Sequence, residues 1–278
     1  MQLPTEGDLD EDPKLDAHAG PGWPIRGEIV FEEVTARYRP ELDPSLDAVS
    51  FKFKGGERIG VVGRTGSGKS TLLQVLFRLL DEIDGGISVD GVDVTKLSLH
   101  KFRRAMSVIP QTPTLFNISL RSNLDPFGEF DDAHIWEALE CVQMAEAVRA
   151  LDGGLDFMLA EGGSNFSVGQ QQLICLSRAI LVKSKILIMD ESAANVDSNT
   201  DKKLNAAVTT AFAESTVISI AHRLDSIIEY DKILVLGDGK VLEFGSPKDL
   251  VKVGGYFLNM IEETGTETAK ELKRKALT

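Results

Sequence analysis

Gly63-Arg64-Thr65-Gly66-Ser67-Gly68-Lys69-Ser70 is a complete G-x-x-x-x-G-K-S octet, and its flanks place it between a strand and a helix. Arg58-Ile59-Gly60-Val61-Val62 before it is a short β-prone run, and Thr71-Leu72-Leu73-Gln74-Val75-Leu76-Phe77 after it favours helix. Gly63, Gly66 and Gly68 let the chain wrap without Cβ clashes, so that backbone N–H groups converge on phosphate oxygens. The helix start adds the positive end of its dipole, Lys69 reaches the β- and γ-phosphates, and Ser70 ligates Mg²⁺. Arg64, Thr65, Ser67 and Thr71 complete the stretch expected to touch the ligand. A glycine-rich turn with an incidental lysine is the bland alternative, but all four fixed positions match in the right context. The octet implies an α/β fold with a P-loop NTPase core that binds a nucleoside triphosphate.

Composition narrows the class. The chain has 278 residues, 42% of them hydrophobic, which suffices for one large α/β domain or a core with a lobe. No run approaches the ~20 apolar residues of a bilayer span, and the start is acidic and prolyl where a secretory signal is basic and then apolar. The expectation is a chain with no direct membrane insertion. A net charge of −13 argues against nucleic acid as a partner, because phosphate contacts need clustered Lys and Arg. Cys141 and Cys175 form no metal or redox spacing, which suits a reducing compartment, and His18, His100, His134 and His222 are scattered. No transition-metal site built by the protein is expected. The Asn-x-Ser patterns at Asn117 and Asn165 are discounted as glycosylation sites in such a chain.

Residues 1–26 hold four prolines and many charges with little periodicity, and read as a linker or disordered segment. Strand patterns follow at 28–32, 35–38 and 46–53, with another short β segment at 85–94 around Asp90-Gly91. Between 120 and 180 the character is helical, with apolar residues at helical spacing over 134–148 and 170–181. Strand signals resume at 185–189, 216–221 and 232–236, and residues 269–275 read as a solvated tail helix.

A phosphate loop alone does not select the chemistry. Ile186-Leu187-Ile188-Met189-Asp190-Glu191 adds a buried strand with two carboxylates at its C-terminal end, where sites in parallel sheets lie. Asp190 is placed to hold Mg²⁺ and Glu191 to polarise an attacking water, unless both simply face solvent. Upstream, Ser167-Val168-Gly169-Gln170-Gln171-Gln172 opens a helix; Ser167 is a good N-cap, and Gly169 is expected to leave backbone N–H groups accessible.

With these residues in order, the chain resembles the ATP-binding cassette (ABC) domain of ABC transporters over roughly residues 27–263. Residues 63–70 match the family's Walker A loop, and Ile186 to Asp190 with Glu191 match Walker B and its catalytic glutamate. The resemblance implies that Tyr38 stacks on adenine and that Gln111 is the Q-loop glutamine touching Mg²⁺ and the transmembrane partner. It makes Ser167, Gly169 and Gln170 the signature, Asp197 the D-loop and His222 the switch histidine at the γ-phosphate. The implied architecture is an ABC ATPase core with an antiparallel β subdomain and a helical insertion subdomain at about 118–180. The implied domain spans 27–265, followed by a charged tail at 266–278.

Finer wording narrows the resemblance. Arg39-Pro40-Glu41-Leu42, Gly63-Arg64-Thr65-Gly66, Asn123-Leu124-Asp125-Pro126-Phe127 and Glu161-Gly162-Gly163 look like the multidrug-resistance-associated (ABCC) subfamily. More narrowly they look like its second nucleotide-binding domain, as do Val168 in place of the first signature glycine and the retained Glu191. Phe166 and Gln171 depart further from common signature wording, with mild effects expected. The resemblance implies an ATPase with ATP and Mg²⁺ as ligands and low activity when isolated. It also implies transmembrane domains and a second nucleotide-binding domain, the first cassette of the same polypeptide, as partners at the cytoplasmic face of a membrane. A channel or channel regulator of the same subfamily and a soluble non-transport ABC ATPase stay open as alternatives. A P-loop small-molecule kinase leaves Ser167, Gly169, Gln170, Asp197 and His222 without a role.

Overall fold

The computed structural model describes residues 13–190, 198–221 and 223–277. In chain order these form a helical turn α1 (Pro13–Asp16), strands β1 (Ile29–Arg37), β2 (Leu46–Phe53) and β3 (Arg58–Val62), and helix α2 (Lys69–Leu76). Strands β4 (Glu82–Val89) and β5 (Val92–Asp93), helix α3 (Leu99–Arg104) and strand β6 (Met106–Ile109) follow. Next come helices α4 (Leu120–Leu124), α5 (Asp132–Cys141), α6 (Ala145–Arg149) and α7 (Val168–Val182), strand β7 (Ile186–Asp190) and helix α8 (Ser198–Ala211). Strands β8 (Thr216–Ile220), β9 (Lys232–Gly237) and β10 (Lys240–Gly245) and helices α9 (Pro247–Val253), α10 (Tyr256–Glu262) and α11 (Thr266–Leu277) complete the chain. Two compact units emerge: one takes the chain up to Met106 and again from Ser215, the other runs Ser107–Glu214.

In the first unit β3 is the strand that delivers the phosphate loop. Ile59, Val61 and Val62 are fully buried, the near-continuous apolar run that a strand covered on both faces requires. It pairs in parallel with β8 and β9, Gly60 standing opposite Ser219 on one side and Ile233 on the other, and β10 closes that edge antiparallel to β9. Gly60 is glycine for a packing reason: a Cβ there would lie 2.7 Å from Ile227 Cδ1. A separate antiparallel sheet, in the order β2-β1-β4-β5, carries Tyr38 just past the end of β1. Stacked Phe31–Phe51 and Phe51–Phe53 pairs, each 4.5 Å between ring centres, run through it to Phe244 of β10, 5.9 Å from Phe53. Beyond its area burial, each such aromatic pair contributes about 1 kcal/mol.

Two expectations are corrected at the margins of this unit. Residues 13–26 are not a loose linker. Asp16 accepts hydrogen bonds from Ser98 N (3.1 Å) and Ser98 Oγ (3.0 Å), and Trp23 Nε1 donates to Val89 O at 3.0 Å. Asp90 Oδ2 accepts from the backbone N–H groups of Ile25 (2.6 Å), Arg26 (2.8 Å) and Gly27 (3.2 Å), and its Oδ1 accepts from Glu28 N at 2.8 Å. Nor are residues 266–277 a solvated tail: in α11 the side chains of Ala269, Leu272 and Ala276 are buried in one cluster with Phe257, Ile261 and Ile233. Three apolar residues on one helical face outweigh the charged half of the helix, because only that face has to be dry.

Partial burial opposes ionisation of Asp90, but its four backbone donors together outweigh that and hold the carboxyl below its ordinary 3.8. A depressed folded value means that this stabilisation is complete above the unfolded value and is lost as pH falls through the folded one. Asp90→Asn is therefore expected to lower unfolding free energy by about 1–2 kcal/mol at pH 7. The gap to the native chain should narrow as pH drops below about 4, and urea titrations at pH 7 and pH 3 read it. An equal gap at both would remove the charge from the explanation.

The second unit is built on α7, whose Leu173, Ile174, Leu176 and Ala179 are buried and which packs against α4, α5 and α8. The helical pattern over 134–148 is two helices, not one, because Gln143 takes a left-handed φ of 58° between α5 and α6. Strands β6 and β7 are neighbours, and Ile186 to Met189 are all buried, as expected of that run. Among the described residues no helix is long and apolar enough to cross a membrane.

Candidate functional site

The first unit assembles the phosphate loop. Gly63, Gly66 and Gly68 all have positive φ (156°, 82° and 102°), so the wrap inferred from the octet is present. At Gly63 a Cβ would collide with Leu236 O, and at Gly68 it would lie 2.8 Å from Ser45 O, so both glycines are also forced by the walls of the loop. Gly68 caps α2 without any side-chain bond to its first-turn amides, which leaves a helix start suited to an anion. Lys69, only 8% exposed, folds back so that Nζ donates to Gly63 O (2.7 Å) and Arg64 O (3.1 Å), closing the loop around its own cation.

Other members of the set fall into place around that loop. Ser70, Thr65, Gly66 and Arg64 are exposed along its rim. Arg64 donates to Glu263 Oε1 at 2.9 Å, but the two side chains are 84% and 62% exposed, so the pair contributes no more than about 1 kcal/mol and leaves the guanidinium open to an anion. Among the described residues Ser67 Oγ is buried with no hydrogen-bond partner, an orphaned polar atom inside the cradle. Tyr38 is half exposed, and its hydroxyl lies 3.2 Å from Thr71 Oγ1 in the first turn of α2. A wrapped glycine loop, a buried lysine, an uncapped helix start and an orphaned hydroxyl fit a polyphosphate. No cluster of three or more His, Cys, Asp or Glu able to hold a metal occurs among the described residues.

The second unit carries Gln111, Ser167, Gly169, Gln170 and Asp190. Asp190 ends β7 at partial exposure, and Gln111 is exposed just after β6. The segment beyond Gln111 is shaped by Asn123, 2% exposed, whose Oδ1 accepts from Phe116 N (2.9 Å) and whose Nδ2 donates to Phe116 O (2.9 Å). Arg178 of α7 adds donations to Asn123 Oδ1 (2.9 Å) and Thr114 O (2.8 Å). Burial draws the Arg178 guanidinium below its ordinary value and pushes the neighbouring Cys175 thiol up, the two opposing each other's shift. Nothing in the sequence patterns singled out Arg178; only its place three turns into α7 gives it this reach.

Ser167 caps α7 in a full capping box: its Oγ accepts from Gln170 N at 3.2 Å, and Gln170 Oε1 accepts from Ser167 N at 2.9 Å. Gly169 is buried rather than open, because Thr200 of α8 lies against it, 2.8 Å from where a Cβ would stand. The expectation that Gly169 keeps amides accessible is thus corrected: the glycine admits a neighbouring helix. Val168 beside it is 43% exposed and so remains on the surface. Gln171 Nε2 donates to Gly163 O (2.8 Å) and Phe166 O (3.1 Å), and Phe166 sits edge-on to Phe157 at 6.3 Å, so both unusual signature residues anchor the loop before α7. Glu191, Asp197 and His222 lie outside the described residues.

Residues 46–194 match the protein family described as ABC transporter. The chain is 48% identical to ATP-binding cassette sub-family C member 2 of Rattus norvegicus over 245 residues, 88% of this chain and 16% of that protein. It is 47% identical to sub-family C member 3 of Homo sapiens over 244 residues, 88% of this chain and 16% of that protein. ABC transporter C family member 3 of Dictyostelium discoideum is 43% identical over 262 residues, 94% of this chain and 19% of that protein. The chain thus spans less than a fifth of the length of these relatives. Among solved structures it is similar to a bacterial Atm1-family ABC exporter with ATP bound, with a TM-score of 0.81, 30% identity, and coverage of 87% of this chain and 43% of the other.

Proposed function

Since this chain belongs to the ABC transporter family, we infer that it is the ATP-binding and ATP-hydrolysing cassette of an ABCC-type membrane exporter, closing on a second cassette when ATP binds. The observation that carries this reading is the closed phosphate loop of β3 and α2, with Lys69 folded into it. The likeness to sub-family C proteins at 43–48% identity supports the subfamily. Val168 in the signature beside a retained Glu191 supports placement as the second of two unequal cassettes, with the first in the same polypeptide. The working position is the cytoplasmic face of a membrane, with transmembrane domains as the coupled partner.

Each residue has a task in this reading. Tyr38 offers a face to adenine, the amides of residues 63–71 and Lys69 hold the triphosphate, and Arg64 and Thr65 line its edge. Ser70, Asp190 and Gln111 would hold Mg²⁺. Bound Mg²⁺ supplies neutralisation of the charge that develops on the β- and γ-phosphate oxygens. Glu191 accepts a proton from the attacking water, and His222 orients the γ-phosphate. In this reading Ser167, Gln170 and Asp197 serve the partner cassette's nucleotide, with Gly169 shaping the turn between them by its packing against Thr200, so this chain alone holds only half of each site.

Half-sites predict a concentration dependence. MgATP should bind the isolated chain, while its turnover is negligible in dilute solution and rises steeply with protein concentration. Phosphate release measured over a hundredfold range of protein reads this directly. Fast turnover per chain that does not change with concentration would identify a self-sufficient ATPase instead.

A further inference from the structure

Tyr38 and Thr71 stand 33 residues apart in sequence, yet their hydroxyl groups meet at 3.2 Å. The Tyr38 ring is 47% exposed, enough for one face to meet a planar ligand, whereas Thr71 is 5% exposed and fixed in the first turn of α2, two residues beyond Lys69. A half-exposed tyrosine samples several rotamers unless its far end is held, and stacking on a mobile ring costs the entropy of stopping it. Thr71 is β-branched and buried, so its own χ1 has little freedom and its hydroxyl is a fixed anchor.

We propose that Thr71 is a positioning residue for the base: its hydroxyl holds the Tyr38 ring at a set distance from the phosphate loop. One hydrogen bond then fixes the base platform and the triphosphate cradle relative to each other before ligand arrives. Preorganisation of this kind raises affinity by lowering the ordering cost of binding rather than by adding a contact. The inference rests on residues 63–71 being a nucleotide site, and it makes a sharper demand than that reading does. Loss of the hydrogen bond should weaken ligands that carry a base and leave base-free polyphosphates untouched.

Isothermal titration of the full chain with ATP and with inorganic tripolyphosphate, both with Mg²⁺, separates the cases. Tyr38→Phe keeps the ring and Thr71→Val keeps the shape, and each removes one hydroxyl. Each is expected to lower ATP affinity about two- to tenfold, the range of one neutral hydrogen bond, and Tyr38→Phe, which lies outside the phosphate loop, is expected to leave tripolyphosphate affinity unchanged. The double variant should be no weaker than the weaker single one, because both remove the same interaction. Thr71→Ser should recover ATP affinity, since the hydroxyl returns. Native-like ATP binding by Tyr38→Phe, additive losses in the double variant, or equal losses of ATP and tripolyphosphate in Thr71→Val would each overturn the proposal. Failure of the native chain to bind ATP would instead sink the nucleotide reading beneath it.

Discussion

Lys69→Ala is expected to lower MgATP affinity about a hundredfold, the equivalent of one charge-assisted contact of roughly 3 kcal/mol. The side chain is almost wholly buried and points back into the loop, with Gly63 O and Arg64 O accepting from Nζ. Its cation is therefore already desolvated and aimed before phosphate arrives, and little ordering remains to be done on binding. Removal has a second effect in the absence of ligand: two carbonyls that face the loop interior lose their donor. Unfolding free energy should drop by about 1 kcal/mol, far less than the loss in binding. Lys69→Arg keeps the charge but needs room for a planar fork in a space shaped for an ammonium, so it should restore only part of the affinity. Titration calorimetry of the three proteins, with urea unfolding of each, tests both effects. Undiminished ATP affinity in Lys69→Ala would remove this loop from the nucleotide site altogether.

The loop was legible in the sequence because its requirements are local. Eight consecutive residues fix three positive-φ glycines, a cation and a helix start, and the flanking runs announce the strand and helix that carry them. Buried β7 ending in Asp190 was legible for the same reason: four apolar residues and then an acid. What stayed hidden depends on residues far apart. Asp90 gathers four amides from residues 25–28, and no composition measure of a proline-rich, charged stretch reveals a carboxylate some 60 residues away. The Tyr38–Thr71 bond is of that kind, since the sequence marks each residue only as a separate ligand contact. In α11 the signal was present as Ala269, Leu272 and Ala276 at helical spacing, but small apolar residues among many charges are a faint stripe. At Gly169 the sequence shows a glycine at a helix start, but not the approach of Thr200, which comes from the next helix. Shape and spacing within one element can be read from the chain; partners supplied by another element cannot.

Glu191→Gln separates binding from chemistry in a way that Lys69→Ala cannot. An amide has nearly the shape of the carboxylate and still accepts hydrogen bonds, so it can orient a water, but at neutral pH it cannot take that water's proton. In the assembled transporter, ATP hydrolysis by the site containing this residue is expected to fall about 10²–10⁴-fold, the usual contribution of a general base, with MgATP affinity within about twofold of native. In the proposed cycle hydrolysis reopens the closed pair, so the variant should also accumulate as a long-lived ATP-bound dimer of cassettes, whereas Lys69→Ala, lacking bound nucleotide, should accumulate no such pair. Single-turnover release of labelled phosphate, read beside retention of labelled ATP, distinguishes the two variants on one preparation. If Glu191→Gln turned over ATP at the native rate, the base would have to be sought elsewhere. Asp190 would be a poor substitute in the proposed role of Mg²⁺ ligand, because a carboxylate engaged with the cation has its basicity suppressed. Loss of turnover together with loss of binding would instead make Glu191 part of the nucleotide's hold, and the division of labour between residues 190 and 191 would have to be reversed.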